Sequence, residues 1–218
     1  MKEKKLVEEK KQKYLFFFLI FFFLILQLFF ILKSRFVVWD EAVYMSNARS
    51  YLGYGNYVEE FRFPLLSRIL AMAFSLTGES LFFARLIILF FSLLSITFFY
   101  KLIRKLTNDN KIILICLLSF LFFFPFFFYS TKVYADVPAL AFSIVSFYFF
   151  VDFVEKEKKH KLLLASLFSI LAFLMRFPTI IFAFSYFIFL LSKKSTRILY
   201  CFYCFIFYSI CLGRFIRL

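Results

Sequence analysis

Histidine and cysteine are scarce: the 218-residue sequence holds one His and four Cys. The sole histidine, His160, sits in a Lys/Glu run, so neither a histidine-based zinc site nor a Ser-His-Asp triad is expected. The cysteines, Cys116, Cys201, Cys204 and Cys211, all fall inside apolar runs, where thiols behave as small hydrophobes and imply no disulfide framework. Cys201 and Cys204 make a C-x-x-C spacing, but no second ligand pair accompanies it, which argues against a metal or redox role. Acid is also in short supply, with 13 Asp+Glu against 27 Lys+Arg and a net charge of +14. In a soluble chain that excess would suggest a nucleic-acid partner. Here the basic residues lie between apolar runs, which reads as membrane topology and excludes nucleic acid.

What is abundant is apolar surface: 64% of the residues are hydrophobic, 25% are aromatic and 41 are Phe. A soluble domain carries about 45–50% apolar residues, so the excess must face lipid, and the chain reads as an integral membrane protein. Seven apolar segments stand out, at 14–32, 81–100, 112–129, 137–153, 162–174, 178–191 and 198–212. Hydrocarbon demands an internal partner for every backbone N–H and C=O, and these runs lack the alternation of barrel strands. The expected fold is therefore all-α, a polytopic helical bundle of about seven spans. Residues 162–191 as one helix would be about 45 Å long against a hydrocarbon core of about 30 Å, so a hairpin turning near Arg176 and Pro178 is expected instead. No small-residue cleavage site follows the first run, which reads as a retained span.

With a cytoplasmic N-terminus, most Lys and Arg fall in the inside segments 1–13, 101–111, 155–161 and 192–197. The chain then divides into a basic cytoplasmic tail at 1–13, a transmembrane module at 14–212, and an external tail at 213–218. The long first loop, 33–80, lies outside. Within it Asp40 is expected to cap a helix from Glu41 to about Leu52, with Gly53 as its stop. Pro64 is expected to open a second helix ending near Gly78, whose apolar face (Leu66, Ile69, Leu70, Ala73, Phe74) would lie along the membrane surface.

The residues that can carry chemistry are few. Asp40 and Glu41 are adjacent carboxylates just outside the first span. Capping a helix and fixing a catalytic base are compatible roles for them. Arg85 lies five residues into the second span, where a cation costs up to about 2.5–3.5 kcal/mol at the bilayer centre, so it is functional by default or else snorkels to the headgroups. Arg62 precedes Phe63-Pro64, Asp136 stands where the fourth span begins, and Arg176 is at the hairpin tip. The topology carries all of these to one external edge. Carboxylates beside arginines at a lipid–water boundary suit an anionic lipid headgroup held by guanidinium, with a carboxylate free to take a proton from an incoming hydroxyl.

In this arrangement the chain resembles the GT-C membrane glycosyltransferases, specifically the protein O-mannosyltransferases and lipid A aminoarabinose transferases. The likeness lies in Asp40-Glu41, Tyr44, Ala48, Leu52, Gly55, Arg62-Phe63-Pro64-Leu65, Gly78 and Ala84-Arg85-Leu86. It continues in Tyr134-Ala135-Asp136-Val137-Pro138 and Leu174-Met175-Arg176-Phe177-Pro178. The resemblance implies a polyprenyl-phosphate-linked sugar as donor and inverting transfer to an acceptor hydroxyl on the external face. It implies Asp40 as general base, with Glu41 orienting Arg85 or the acceptor. Arg85, Arg62 and Arg176 would bind the donor phosphate, and Asp136, Tyr134 and Tyr44 would shape the sugar or acceptor pocket. No cofactor is required, and a divalent cation stays open. Family members usually have Lys or His followed by Pro-Pro where Arg62-Phe63-Pro64 stands, and they continue with further spans. The expectation is therefore an N-terminal module, with a membrane partner subunit supplying missing spans as one outcome. The alternative is a non-catalytic membrane subunit, or a fragment of a split glycosyltransferase, in which the carboxylates serve only as caps.

Overall fold

The computed structural model describes residues 2–55, 58–59 and 61–192, with side chains for residues 14–55, 58–59 and 61–191. Those residues are all-helical, without a strand: α1 (Lys2–Lys33), α2 (Trp39–Tyr51), α3 (Pro64–Thr77), α4 (Leu81–Leu106), α5 (Asn110–Leu121), α6 (Phe124–Tyr129), α7 (Asp136–Lys156), α8 (Lys159–Met175) and α9 (Ile180–Ser192). Three stretches are long and apolar enough to cross a bilayer, Tyr14–Lys33, Leu81–Leu106 and Asp136–Lys156, and shorter apolar helices accompany them. The result is a membrane helical bundle. The seventh expected segment, 198–212, lies outside the described residues.

The expected third span, 112–129, is two helices rather than one. Pro125 lacks an N–H and its ring would collide with the carbonyl of Leu121, and α5 ends at that residue. A second proline acts as expected: α8 stops at Met175, Arg176 is extended, Pro178 sits in a 3-10 turn over Phe177–Thr179, and α9 follows. In the first loop, α2 and α3 fall close to their expected bounds, and Gly53 and Gly78 end them with φ of +80° and +74°. Much of the apolar face of α3 is covered by protein. Leu66, Leu70, Ala71 and Phe74 are buried, and α3 packs against α2, α4 and α8.

The helices alternate in direction, so that ends distant in sequence meet. The end of α1 (Ser34) and the start of α4 (Arg85) share a hydrogen bond, and the start of α7 (Asp136) pairs with the residue after α8 (Arg176). At the opposite end Lys105 of α4 meets Asp152 of α7, which also pairs with Lys161 of α8. Between the two ends, α7 packs chiefly on α8 and α4. Ala84, Ser92 and Ser95 on α4, Ala139, Ala141, Ser143 and Ser146 on α7, and Ala165, Ser166 and Ala172 on α8 are all buried. Small residues let apolar helices approach closely where no water is available to drive them together. Ser146 Oγ bridges helices, 2.7 Å from the Ala165 carbonyl and 3.1 Å from the Tyr186 hydroxyl.

Helix α1 presents one stripe, Phe16, Phe23, Gln27 and Ile31, to the protein and its other Phe residues outward. Phe16 stacks on Tyr100 of α4, and Gln27 Nε2 donates to the Phe127 carbonyl of α6 at 3.2 Å.

Candidate active site

The site is built where α1 and α8 end and α4 and α7 begin. Helix α2 starts at Trp39 with Val38 as its N-cap residue, so Asp40 is not the cap. Glu41, at the third helical position, reaches back and accepts from the Val38 N–H at 3.1 Å. A glutamate placed there can satisfy the N-terminal donors that an aspartate cap would otherwise take. Asp40 is thereby free to face outward. Asp136 is likewise the first residue of α7, after Ala135, rather than its cap, and Pro138 is tolerated because first-turn N–H groups have no intrahelical partner.

Glu41 and Arg85 form a buried pair whose side chains are 0% and 1% exposed. Arg85 donates from Nε to Glu41 Oε1 and from Nη2 to Glu41 Oε2, both at 2.9 Å. Nη2 also donates to the Phe36 carbonyl at 2.7 Å, and Nη1 donates to the Ser34 carbonyl. Four donor contacts thus occupy a guanidinium that has five N–H groups, leaving little of it for a ligand. Glu41 Oε1 accepts in addition from the Val133 N–H at 2.9 Å. Burial by itself would raise the Glu41 pKa. The hydrogen bonds from Arg85, Val133 and Val38, with the charge of Arg85, outweigh it and hold the carboxyl below its ordinary value. This one pair therefore ties together the chain after α1, the start of α2, the first turns of α4 and the approach to α7.

Beside it lies a second, half-exposed cluster. Arg62 Nη2 donates to Asp40 Oδ1, and the Arg62 guanidinium lies over the Tyr44 ring, 5.1 Å from its centre. Burial works against the Arg62 charge, but Tyr44 and the hydrogen bond to Asp40 outweigh it and raise its pKa above the ordinary arginine value. Arg62 Nε lies 3.4 Å from Glu59 Oε1 yet makes no hydrogen bond. The loop carrying Glu59 is held by Asn47, whose amide pairs both ways with the Glu59 backbone at 2.9 and 3.1 Å. The Tyr134 hydroxyl faces the same carboxylates, and its pKa is pushed up by burial and by the charges of Asp40 and Glu41.

The third pair, Asp136 and Arg176, is half-exposed and ion-paired. Neither residue bonds to Asp40, Glu41, Arg62 or Arg85. Its link to the rest is through packing: Phe63, next to Arg62, lies 5.4 Å from Phe173 and stacks on Phe177, next to Arg176. All eight residues singled out from the sequence thus lie at one end of the bundle, Asp40, Arg62, Tyr44 and Tyr134 in one cluster, Glu41 and Arg85 in a second, Asp136 and Arg176 in a third.

Sequence reasoning missed Lys132. Its side chain is buried and its Nζ is 3.2 Å from Ser34 Oγ. Burial lowers its pKa, the neighbouring charge of Arg85 lowers it further, and Glu41 only partly opposes them. The one available signal was a lysine standing alone between two apolar segments. Asp152, at the far end, was also missed. Among the described residues no three or more His, Cys, Asp or Glu side chains group to hold a metal ion.

Around this rim stand exposed aromatics, Phe36, Trp39, Tyr54, Phe61 and Phe177, as befits a membrane–water boundary. No curated protein and no solved structure matches the chain. The profile of one family, described as dolichyl-phosphate-mannose-protein mannosyltransferase, matches residues 62–216, which takes in Arg62, Arg85, Tyr134, Asp136 and Arg176. An all-helical membrane bundle that matches this profile over most of its length belongs to the dolichyl-phosphate-mannose-protein mannosyltransferase family, and so to the GT-C membrane glycosyltransferases.

Proposed function

We propose that this rim lies on the external face and transfers a sugar, of the mannosyl kind, from a polyprenyl-phosphate donor to an acceptor hydroxyl with inversion. The observation that carries this reading is the division of labour between the two adjacent carboxylates: Glu41 is buried and committed to Arg85, while Asp40 is held at the surface by Arg62. A carboxylate fixed by neighbours but open to solvent suits a general base. The acceptor oxygen attacks the anomeric carbon, its proton passes to Asp40, and the carbon–oxygen bond to phosphate breaks with its electron pair leaving on the polyprenyl phosphate. Negative charge grows on that phosphate, and cations close by stabilise it. Arg62, with an unused Nε–H, is one; Arg176, half-exposed and beside Phe177, is another.

Arg85 acts in this scheme as a positioning residue, through Glu41 and the carbonyls of Ser34 and Phe36, rather than on the phosphate. Tyr44, Tyr134 and Asp136 border the space for sugar or acceptor. The lipid tail reaches the rim sideways from the bilayer, past the exposed aromatics. Residues 33–80 are the external loop in this reading, the N-terminus is cytoplasmic, and a partner subunit or a bound divalent cation can join the assembly.

The test is transfer from polyprenyl-phosphate mannose by membranes carrying the protein, with any partner it needs. Asp40→Asn is expected to lose about 100-fold or more of the rate, the scale of general-base catalysis, with unchanged thermal unfolding. Equal rates for parent and variant would remove Asp40 from the chemistry. Transfer of no sugar at all by the parent assembly would remove the proposed donor.

A further inference from the structure

Lys132 is a buried amine with no counter-ion among the described residues. Its side chain is 7% exposed, its one hydrogen-bond partner is the neutral Ser34 hydroxyl, and no described carboxylate lies within ion-pair distance. The nearest charges belong to the Glu41–Arg85 pair, which is already neutral overall, and Arg85 repels Lys132. Glu41 cannot serve as counter-ion, since its oxygens accept from two backbone N–H groups and two guanidinium nitrogens. A buried charge left without a partner is costly, so such an amine either gives up its proton or is met by a group of opposite sign. Every other buried charge described here is matched: Glu41 by Arg85, and Asp152 by three lysines.

The position of Lys132 says where that opposite charge would sit. It lies in the link between α6 and α7, two residues before Tyr134, whose hydroxyl feels the charge of Asp40, and its neighbour Val133 bonds Glu41. The amine is thus at the same rim as the proposed base, and it can offer further N–H donors once Ser34 is satisfied. Arg85, with four of its five N–H groups engaged, has at most one left.

We infer that Lys132 binds the phosphate of an incoming ligand and is the principal cation for it at this rim, with Arg85 serving to hold the surrounding backbone in place. That the phosphate belongs to a lipid-linked sugar rests on the proposed transferase reading; that Lys132 takes an anion rests on the missing counter-ion alone. A phosphate in this place neutralises the ammonium and, during transfer, is the group on which negative charge grows.

The experiment uses the full chain in nanodiscs of neutral lipid and measures binding of three probes: polyprenyl monophosphate, the same polyprenol without phosphate, and inorganic phosphate. Lys132→Met, which keeps the length without the charge, is expected to weaken polyprenyl monophosphate about 10- to 100-fold, the scale of a charge-assisted hydrogen bond, and to leave the polyprenol unaffected. Lys132→Arg is expected to stay within a few-fold of the parent. Thermal unfolding separates this from a structural role: without ligand, Lys132→Met should unfold no lower than the parent, because an unneutralised charge has been removed, and the stabilisation on adding polyprenyl monophosphate should vanish. Inorganic phosphate binding that depends on Lys132, without binding of the lipid, would uphold the anion site and overturn the lipid-linked donor. Equal polyprenyl monophosphate affinity in parent and Lys132→Met would overturn the role of Lys132 and leave the donor reading intact. Binding of no probe by the folded parent would overturn both.

Discussion

Glu41 at one end of the bundle and Asp152 at the other are both almost wholly buried carboxylates, 0% and 3% exposed, yet they are neutralised in opposite ways. Glu41 has one cationic partner, Arg85, as buried as itself, and the remaining two bonds come from backbone N–H groups, those of Val38 and Val133. Asp152 has three lysines, Lys105, Lys156 and Lys161, whose side chains are 16%, 54% and 24% exposed and whose flexible stems can swing toward water. One arrangement fixes geometry; the other spreads charge. A bidentate guanidinium held on all sides gives a rigid frame beside Asp40, whereas a carboxylate ringed by mobile ammonium groups fastens helix ends without defining a site.

That contrast predicts unequal consequences when each is broken. Arg85→Met leaves Glu41 sealed in with no cation, and is expected to cost about 3–5 kcal/mol, read by thermal or denaturant unfolding of the solubilised protein. Pairing it with Glu41→Leu should recover much of the loss, and a double variant no better than the single would mean the pair is not coupled. Acid sharpens the same point. Because the folded protein holds Glu41 below its ordinary pKa of 4.5, its contribution is complete above that value and fades as pH falls from there through the lower folded value. In Arg85→Met, burial then dominates, the folded pKa rises, and acid sensitivity should move to higher pH.

Asp152→Asn is expected to cost less, about 1–2 kcal/mol, since its lysines can turn to solvent once the carboxylate is gone. A loss as large as that of Arg85→Met would show that the two ends are not different in kind. Ser146→Ala removes a neutral interhelical contact midway between them and should cost about 0.6 kcal/mol in the same unfolding measurement. Asp136→Asn breaks a half-exposed pair and should be near neutral for stability, within about 1 kcal/mol, so any larger effect on sugar transfer would report the site alone.

The bundle was legible in the sequence because lipid leaves a chain few options. Long Phe and Leu runs can only be helices there, and Pro64, Pro178, Gly53 and Gly78 mark turns by local sterics. Pro125 carries the same signal, but it lies inside an unbroken apolar run, and apolar length outweighed it. The site was legible by residue and not by role. Asp40, Glu41 and Arg85 announce themselves as charges beside spans, yet Glu41 and Arg85 are 44 residues apart in the chain, and the choice of Arg85 for Glu41 rather than Asp40 is made by packing. The capping of α2 turned on a local competition between Asp40 and Glu41, in which the longer side chain prevailed. Lys132 and Asp152 are ordinary in sequence, and only their burial makes them unusual.

Gln27 carries one more consequence. From Tyr14 to Leu32 helix α1 is apolar around its whole circumference except at Gln27, so a greasy cylinder of this kind has no strongly favoured azimuth about its own axis. Where α6 ends, the Thr131 N–H turns to the Phe128 carbonyl, and Gln27 of α1 donates its amide to the Phe127 carbonyl instead. That single polar handshake indexes the rotation of α1, and with it the direction in which Ser34 and Phe36 aim their carbonyls at Arg85.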